Sequence, residues 1–272
     1  MQKYWATPYM LIKLLLTPLL ILMCLLAARR WGAFVGGVVA GLPLISGPLS
    51  FFLTLEQGAA FSAAASFNTL LGVLACTSTA LIYPWLAAWG VPWFVTLPLA
   101  LCGFFGGGWV VLQITFTPLW ALGLACGCPV LVLLCLPKNA QARVGGHTMT
   151  ARLRVPLQMA CGAMLVFVVT ESAQRLGPGW SGVLMFFPVM ICSIVPFAHA
   201  LQGAAAVVGL FRGIMAGWFG CIAFATVVMT GVERLPLWLC YGAACGAALG
   251  ASAVVSLLER RACAVCRSPV KS

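Results

Sequence analysis

Arg212 makes the strongest chemical demand in this sequence. It lies in an apolar run over 204–231, where a charged side chain is costly in lipid and is turned toward the protein interior. It follows the Gln202-Gly203 turn by about nine residues, or about 14 Å at the helical rise, too deep to reach water easily. A guanidinium held there suits a carboxylate, a carbonyl or an anionic ligand. Its counterpart in the internal repeat described below is Phe67, beside Asn68. Polarity that differs between repeats at one position suits substrate binding better than folding.

Two proline-broken stretches offer backbone groups to the same purpose. The first reads Gly41-Leu-Pro43-Leu-Ile-Ser46-Gly47-Pro48-Leu-Ser50 and the second Phe187-Pro188-Val-Met-Ile-Cys192-Ser193-Ile-Val-Pro196. Pro43 and Pro188 each remove a helix hydrogen bond and expose a carbonyl one turn back. Bare backbone at membrane depth survives where protein or a water-filled cavity covers it. The expected substrate-binding set is therefore Arg212, Pro43, Ser46, Pro188, Ser193 and Asn68. Glu56, Glu171 and His199 are the titratable groups that could couple protons to it. Glu171 also has Arg175 at i+4, which makes a local pair. Gln57-Gly58 and Gln202-Gly203 read as tight turns, with glycine taking a conformation that other residues resist; the two glutamines are placed to cap helix ends.

The catalytic equipment of a membrane enzyme is missing. The sequence has no HExxH, GxSxG, P-loop or DxxD-type cluster, so hydrolytic, ATP-driven and prenyl-diphosphate chemistry has no visible apparatus. Four acidic residues leave little for a two-carboxylate mechanism or a multivalent cation. No enzyme activity, cofactor or metal is expected. Cys263-Ala-Val-Cys266 has the spacing of a metal pair but lacks a second pair. The cysteines within apolar runs, Cys24, Cys76, Cys102, Cys161, Cys192 and Cys221, read as small packing residues.

These residues must be positioned by membrane helices. Hydrophobic residues make up 63% of the 272-residue chain, charged residues 7%, and the mean hydropathy is +1.09. That composition excludes a soluble enzyme and a disordered chain. The net charge of +11 does not indicate nucleic acid, because the basic residues gather at helix ends: Arg29–Arg30, Lys138 to Arg154 and Arg260 to Lys271. Nine apolar stretches near 8–28, 33–55, 60–83, 91–112, 116–136, 155–173, 180–199, 204–231 and 235–257 are each about long enough to span. All three basic clusters fall on the cytoplasmic face if the N-terminus is outside and the C-terminus inside. The first apolar run reads as an uncleaved span, since Arg29–Arg30 follow it at once.

The chain also repeats itself. Shifting it by 145 residues aligns 28–76 with 173–221 without gaps. Thirteen of 49 positions are identical, including Pro43/Pro188, Gln57/Gln202, Gly58/Gly203, Gly72/Gly217 and Cys76/Cys221. About one position in ten would match by chance in so biased a composition. Five spans separate equivalent points, and five is odd, so the second copy enters the membrane upside down. The expected fold is an all-α polytopic bundle of about nine transmembrane helices built from two inverted repeats. A first half over 1–136 is joined by a basic cytoplasmic linker, 137–154, to a second half over 155–258 and a basic tail, 259–272.

The Ala40-Gly-Leu-Pro-Leu-Ile-Ser-Gly-Pro-Leu stretch with its Leu-Glu-Gln-Gly sequel resembles segments of bacterial multi-pass membrane proteins of unassigned function. So does the Phe-Phe-Pro-Val…His-Ala-Leu-Gln-Gly…Phe-Arg-Gly segment, which is also similar to the short GlpM-like membrane proteins. The resemblance implies a bacterial inner-membrane protein and carries no activity. The five-plus-four plan resembles that of drug/metabolite-type exporters, which have five plus five; a tenth span is lacking here. Inverted repeats with corresponding broken spans suit a secondary transporter with a midplane site. The expected function is alternating-access transport of a small, anionic metabolite. The alternative is a lipid-handling protein, either a flippase or a non-catalytic subunit of an envelope-biogenesis complex. The expected partners are membrane lipids and a small-molecule substrate, without nucleic acid; a homodimer stays open.

Overall fold

A backbone N–H or C=O in lipid finds no water, so an apolar chain folds into elements that satisfy their own hydrogen bonds. The computed structural model describes residues 8–44, 46–138, 140–141, 151–175, 183–184 and 186–265; at 8–17, 49, 53, 56, 151–152, 170–171, 173–175, 260 and 262–265 it describes the backbone alone. The elements are helices throughout: α1 (Pro8–Trp31), α2 (Ala33–Gly41), α3 (Ser46–Gln57), α4 (Ala59–Ala88), α5 (Trp93–Leu112), α6 (Pro118–Cys135), α7 (Ala151–Arg175), α8 (Val189–Gln202), α9 (Ala204–Gly231) and α10 (Leu237–Val265).

Among the described residues six stretches are long and apolar enough to cross a membrane: Ala33–Phe52, Ala59–Ala88, Trp93–Leu112, Pro118–Cys135, Ala204–Gly231 and Leu237–Glu259. Among the described residues every element is a helix, and the six long apolar ones fit a membrane helix bundle. Of the other three expected spans, two are helical as α1 and α7, and the third is helical at Val183–Leu184 and again over α8, with Phe186 to Pro188 non-helical between them. The apolar parts of the last two, Leu153–Val169 and Val189–Gln202, are shorter.

Burial sorts the helices into layers. α4 and α9 form the centre, with most of their spanning windows buried, whereas α5, α6 and α10 leave most of theirs exposed. Their outward residues are the ones lipid favours, among them Leu99, Leu119, Leu134, Leu249 and Val254. Exposed tryptophans mark both ends of the bundle. Trp31, Trp89 and Trp93 lie at one end, and Trp120 and Trp238 at the other. Amphipathic indoles collect at membrane interfaces in this way.

The packing directions follow from which residues meet. Gly37 lies against Leu210 and Gly213, Gly41 against Ile214 and Gly217, and Gly47 against Phe224. The numbers rise together, so α2–α3 runs parallel to α9 and crosses the bundle as one interrupted span. Tyr83 meets Phe211 with ring centroids 5.8 Å apart, while Ala59 and Ala63 pack against the cluster that holds Phe224, Val228 and Val232. There the numbers run oppositely, so α4 and α9 are antiparallel. Gln57 and Gln202 consequently mark opposite ends of the bundle.

The two proline breaks are alike down to their backbone hydrogen bonds. Leu44 N–H donates to the Leu42 carbonyl at 2.8 Å, and Val189 N–H to Phe187 at 2.7 Å. Each bond closes a three-residue turn centred on the proline; Pro188, at φ −76° and ψ 58°, has the inverse γ-turn geometry. Helix then restarts on the proline carbonyl: Gly47 N–H donates to Pro43 at 2.8 Å and Cys192 N–H to Pro188 at 2.9 Å. Gly58 and Gly203, at φ +89° and +83°, head α4 and α9. Every one of these pairs is related by 145 residues. The repeated sequence thus folds the same way twice.

Candidate binding site at the helix breaks

Each break lies against a long central helix at a point where glycine admits the approach. A Cβ added at Gly217 would stand 2.6 Å from the Gly41 Cα, and one added at Gly72 would collide with the Phe186 side chain. The two contacts are equivalents, since Gly41 and Phe186, like Gly72 and Gly217, differ by 145. Each break also meets a cysteine from the helix it abuts. The Cys76 thiol donates to the Phe186 carbonyl at 3.2 Å, and the Ser46 side chain lies beside Cys221. Cys76 lies within electrostatic reach of both Cys192 and Cys221. Pro43, Ser46 and Pro188 are therefore gathered around the α4–α9 crossing, with Phe186 and Trp218 stacked edge-on at 5.9 Å beside it.

This revises two expectations. A carbonyl was expected to be left bare one turn before each proline. Leu184, in that position before Pro188, instead accepts from Phe187 N–H at 3.0 Å, because the γ-turn draws the chain back onto it. Cys76 and Cys221 were read as packing residues. They are buried, but they also supply polar contacts to the breaks, and their identity across the repeat was the signal for it.

Ser193 does not join this group through its hydroxyl. It is fully buried and donates to the Val189 carbonyl one turn back at 2.8 Å, so its oxygen is used within α8. Arg212 and Asn68, both half-buried, are also kept apart. Arg212 precedes Cys221 by nine residues and Asn68 precedes Cys76 by eight. Because α4 and α9 are antiparallel, the two lie on opposite sides of the crossing, each about 12–14 Å from it along its helix.

Arg212 instead shares a level with His199. Next to it in sequence, Phe211 packs on Tyr83, and the Tyr83 ring contacts the His199 ring at 5.8 Å. The Tyr83 hydroxyl is 3.5 Å from His199 Nδ1. Tyr83 is fully buried and His199 is 8% exposed. The side chains of Glu56 and Glu171 lie outside the described residues, as do that of Cys263 and the whole of Cys266. Gln57 and Gln202 are exposed, each just before the positive-φ glycine that heads α4 or α9. Among the described residues no group of three or more His, Cys, Asp or Glu is arranged to hold a metal ion.

On the far side of the breaks a second polar layer forms from residues that the sequence did not single out. The Tyr241 hydroxyl lies 2.6 Å from Thr54 Oγ1, 2.8 Å from Ser50 Oγ and 3.1 Å from Ser62 Oγ. Thr54 Oγ1 donates to the Ser50 carbonyl at 2.8 Å, so in its contact with Tyr241 it accepts. Phe51 and Phe224 close over the Tyr241 ring. One tyrosine thus ties α10 to α3 and α4. The Ser50/Thr54 spacing of i, i+4 was visible, but their shared partner Tyr241 lies 191 and 187 residues away.

The chain matches no family model, no curated protein and no solved structure. What it does must be read from its own geometry.

Proposed function

We propose that this protein is a secondary transporter of the inner membrane that moves a small, anionic metabolite by alternating access. In this reading nine spans cross the bilayer, with the N-terminus outside and the C-terminus in the cytoplasm. The halves over 1–136 and 155–258 are inverted repeats. α4 and α9 are equivalent helices that pack antiparallel, and a two-fold axis exchanging such a pair runs across them, in the plane of the membrane. The parallel course of α2–α3 and α9 fits the same count of crossings.

The observation that carries the proposal is the reciprocal seating of the breaks. Each proline turn rests on the other half's central helix, at Cys76 or Cys221, so a site there belongs to both halves. Inverted-repeat transporters bind at such places and expose the site by rocking one half against the other. Two polar layers flank the breaks, and both join the halves. Tyr241 with Ser50, Thr54 and Ser62 lies on the outer side, and Tyr83 with His199 on the inner side. They serve as gates, of which one opens while the other holds. Arg212, at the inner layer, supplies the positive charge that selects an anion, and His199 is placed to couple proton movement to it.

The test compares wild type, Arg212→Ala and Arg212→Lys at equal membrane level, reading small anionic solutes in cytoplasm and medium. Arg212→Ala is expected to abolish the solute difference that wild type maintains, and Arg212→Lys to retain part of it. Full activity in Arg212→Ala contradicts the proposal. Unchanged solutes with an altered lipid composition support the lipid-handling reading instead.

A further inference from the structure

Two buried polar atoms on α7 have no hydrogen-bond partner: Arg154 Nε and Gln158 Oε1. Gln158 is 1% exposed and Arg154 is half-buried. They are four residues apart and so lie one turn apart on the same helix face. The next turn of that face carries Gly162, where an added Cβ would meet Ile21 of α1 and would lie 3.1 Å from Ser193 Oγ of α8. The unpartnered pair therefore points into the seam between α1, α7 and α8. A buried amide left unsatisfied is expensive in a protein interior and more so at membrane depth.

Among the described residues no carboxylate stands beside Arg154. The protein contains no Asp, and its four acidic residues are Glu56, Glu171, Glu233 and Glu259. Glu171 is 17 positions further along α7, about 25 Å away at the helical rise. Glu56 ends α3 and Glu233 follows α9, both at the Gln57 end. Arg154 belongs to the other end. The Gln141 carbonyl accepts from Ala205 N–H there at 3.1 Å, and α7 begins ten residues later. Glu259 lies on α10, for which α7 is not a packing neighbour. The other cations of α1 at this end, Arg29 and Arg30, are exposed, and Arg30 lies over the Trp31 ring at 5.9 Å.

We infer that Arg154 and Gln158 form a binding site for a phosphate ester whose own head group donates a hydrogen bond. The Arg154 Nε–H donates to a phosphate oxygen, and Gln158 Oε1 accepts from an N–H or O–H on the same ligand. The acceptor sits one turn deeper than the cation. Two sources carry this chemistry, a phospholipid head group such as phosphatidylethanolamine and a soluble phosphomonoester such as phosphoethanolamine. The site is separate from Arg212 and does not depend on the transport reading.

The pairing of acceptor with cation gives a sharp test. Phosphatidylethanolamine and phosphatidylcholine both carry a phosphate and no net charge, but only the first can donate to Gln158. The full-length protein, delipidated in detergent, is titrated with each lipid and with phosphoethanolamine and phosphocholine. Binding is read by native mass spectrometry and by the thermal midpoint. Wild type is expected to bind the ethanolamine member of a pair at least tenfold more tightly than the choline member. Gln158→Leu, similar in size and free of the unsatisfied group, is expected to fold and to bind both members alike. Arg154→Gln is expected to weaken both at least tenfold, and Arg30→Ala to change neither. Preference within the lipid pair assigns the site to a lipid, and preference within the soluble pair assigns it to a phosphomonoester. Equal binding of ethanolamine and choline ligands by wild type, no binding of any of the four, or wild-type behaviour in both Gln158→Leu and Arg154→Gln overturns the inference.

Discussion

Hydroxyl groups are scarce and dear at membrane depth, and most of those in this bundle are spent on their own helix. Thr69, Thr77, Ser193 and Thr226 each donate to a carbonyl one turn back. Tyr241 is different, because three hydroxyls from two other helices converge on its oxygen. Tyr241→Phe keeps the ring between Phe51 and Phe224 and removes only that oxygen. Ser50, Thr54 and Ser62 then lose a shared partner, two of them where water does not reach. The expected cost is about 1–3 kcal/mol, read as a lower unfolding midpoint in detergent; an unchanged midpoint would show that the three hydroxyls do not need Tyr241. Nothing local in the sequence marks this cluster. Tyr241 sits in an apolar run like any interfacial tyrosine, and the partners are joined only by tertiary packing. The same is true of Gln158 and Arg154. Arg212 was legible because the depth of a charge in an apolar run can be counted along one helix.

At the scale of elements, proline and glycine carried most of what could be read ahead of the structure. Pro43 and Pro188 interrupt their spans where expected, since a missing N–H breaks a helix whatever surrounds it. The turns at Gly58 and Gly203 were equally legible, since few other residues adopt positive φ. The close crossing of α2 and α9 was not, because glycine in a helix looks the same facing a backbone or facing lipid. The structure separates the two kinds. A Cβ at Gly213 would collide with the Phe34 carbonyl, and one at Gly217 would press on Gly41, whereas Gly242 and Gly246 face open space. Gly213→Val and Gly217→Val are expected to cost about 3 kcal/mol or more, since neither backbone can retreat without losing its neighbours. Gly242→Ala and Gly246→Ala are expected to be neutral or to stabilise by about 0.5–1 kcal/mol. Midpoints of the four variants in one detergent check the contrast, and equal losses at all four positions would contradict the close crossing.

At the scale of the whole molecule, the 145-residue shift relates 28–76 to 173–221, a likeness that identities at Pro, Gln, Gly and Cys disclosed before any contact was known. Its second appearance, in matched γ-turns and matched helix starts, is independent of those identities, since Leu44 and Val189, or Thr54 and His199, differ in type and still occupy equivalent bonds. Composition alone established the membrane class, and the basic clusters supplied an orientation. A reporter that is active only in the cytoplasm, fused after residue 272, is expected to be active, and the same reporter fused before residue 1 to be silent. Activity at both ends would mean an even number of crossings and would contradict the nine-span orientation. The central claim is that a small solute passes between the two halves. Its most direct test is paired metabolite and lipid profiling of cytoplasm and medium, in cells with and without this gene. The account predicts that a small anionic solute is displaced to one side of the membrane when the gene is removed, with lipids unchanged. Solute pools that stay the same on both sides, beside an altered lipid or envelope fraction, would contradict it.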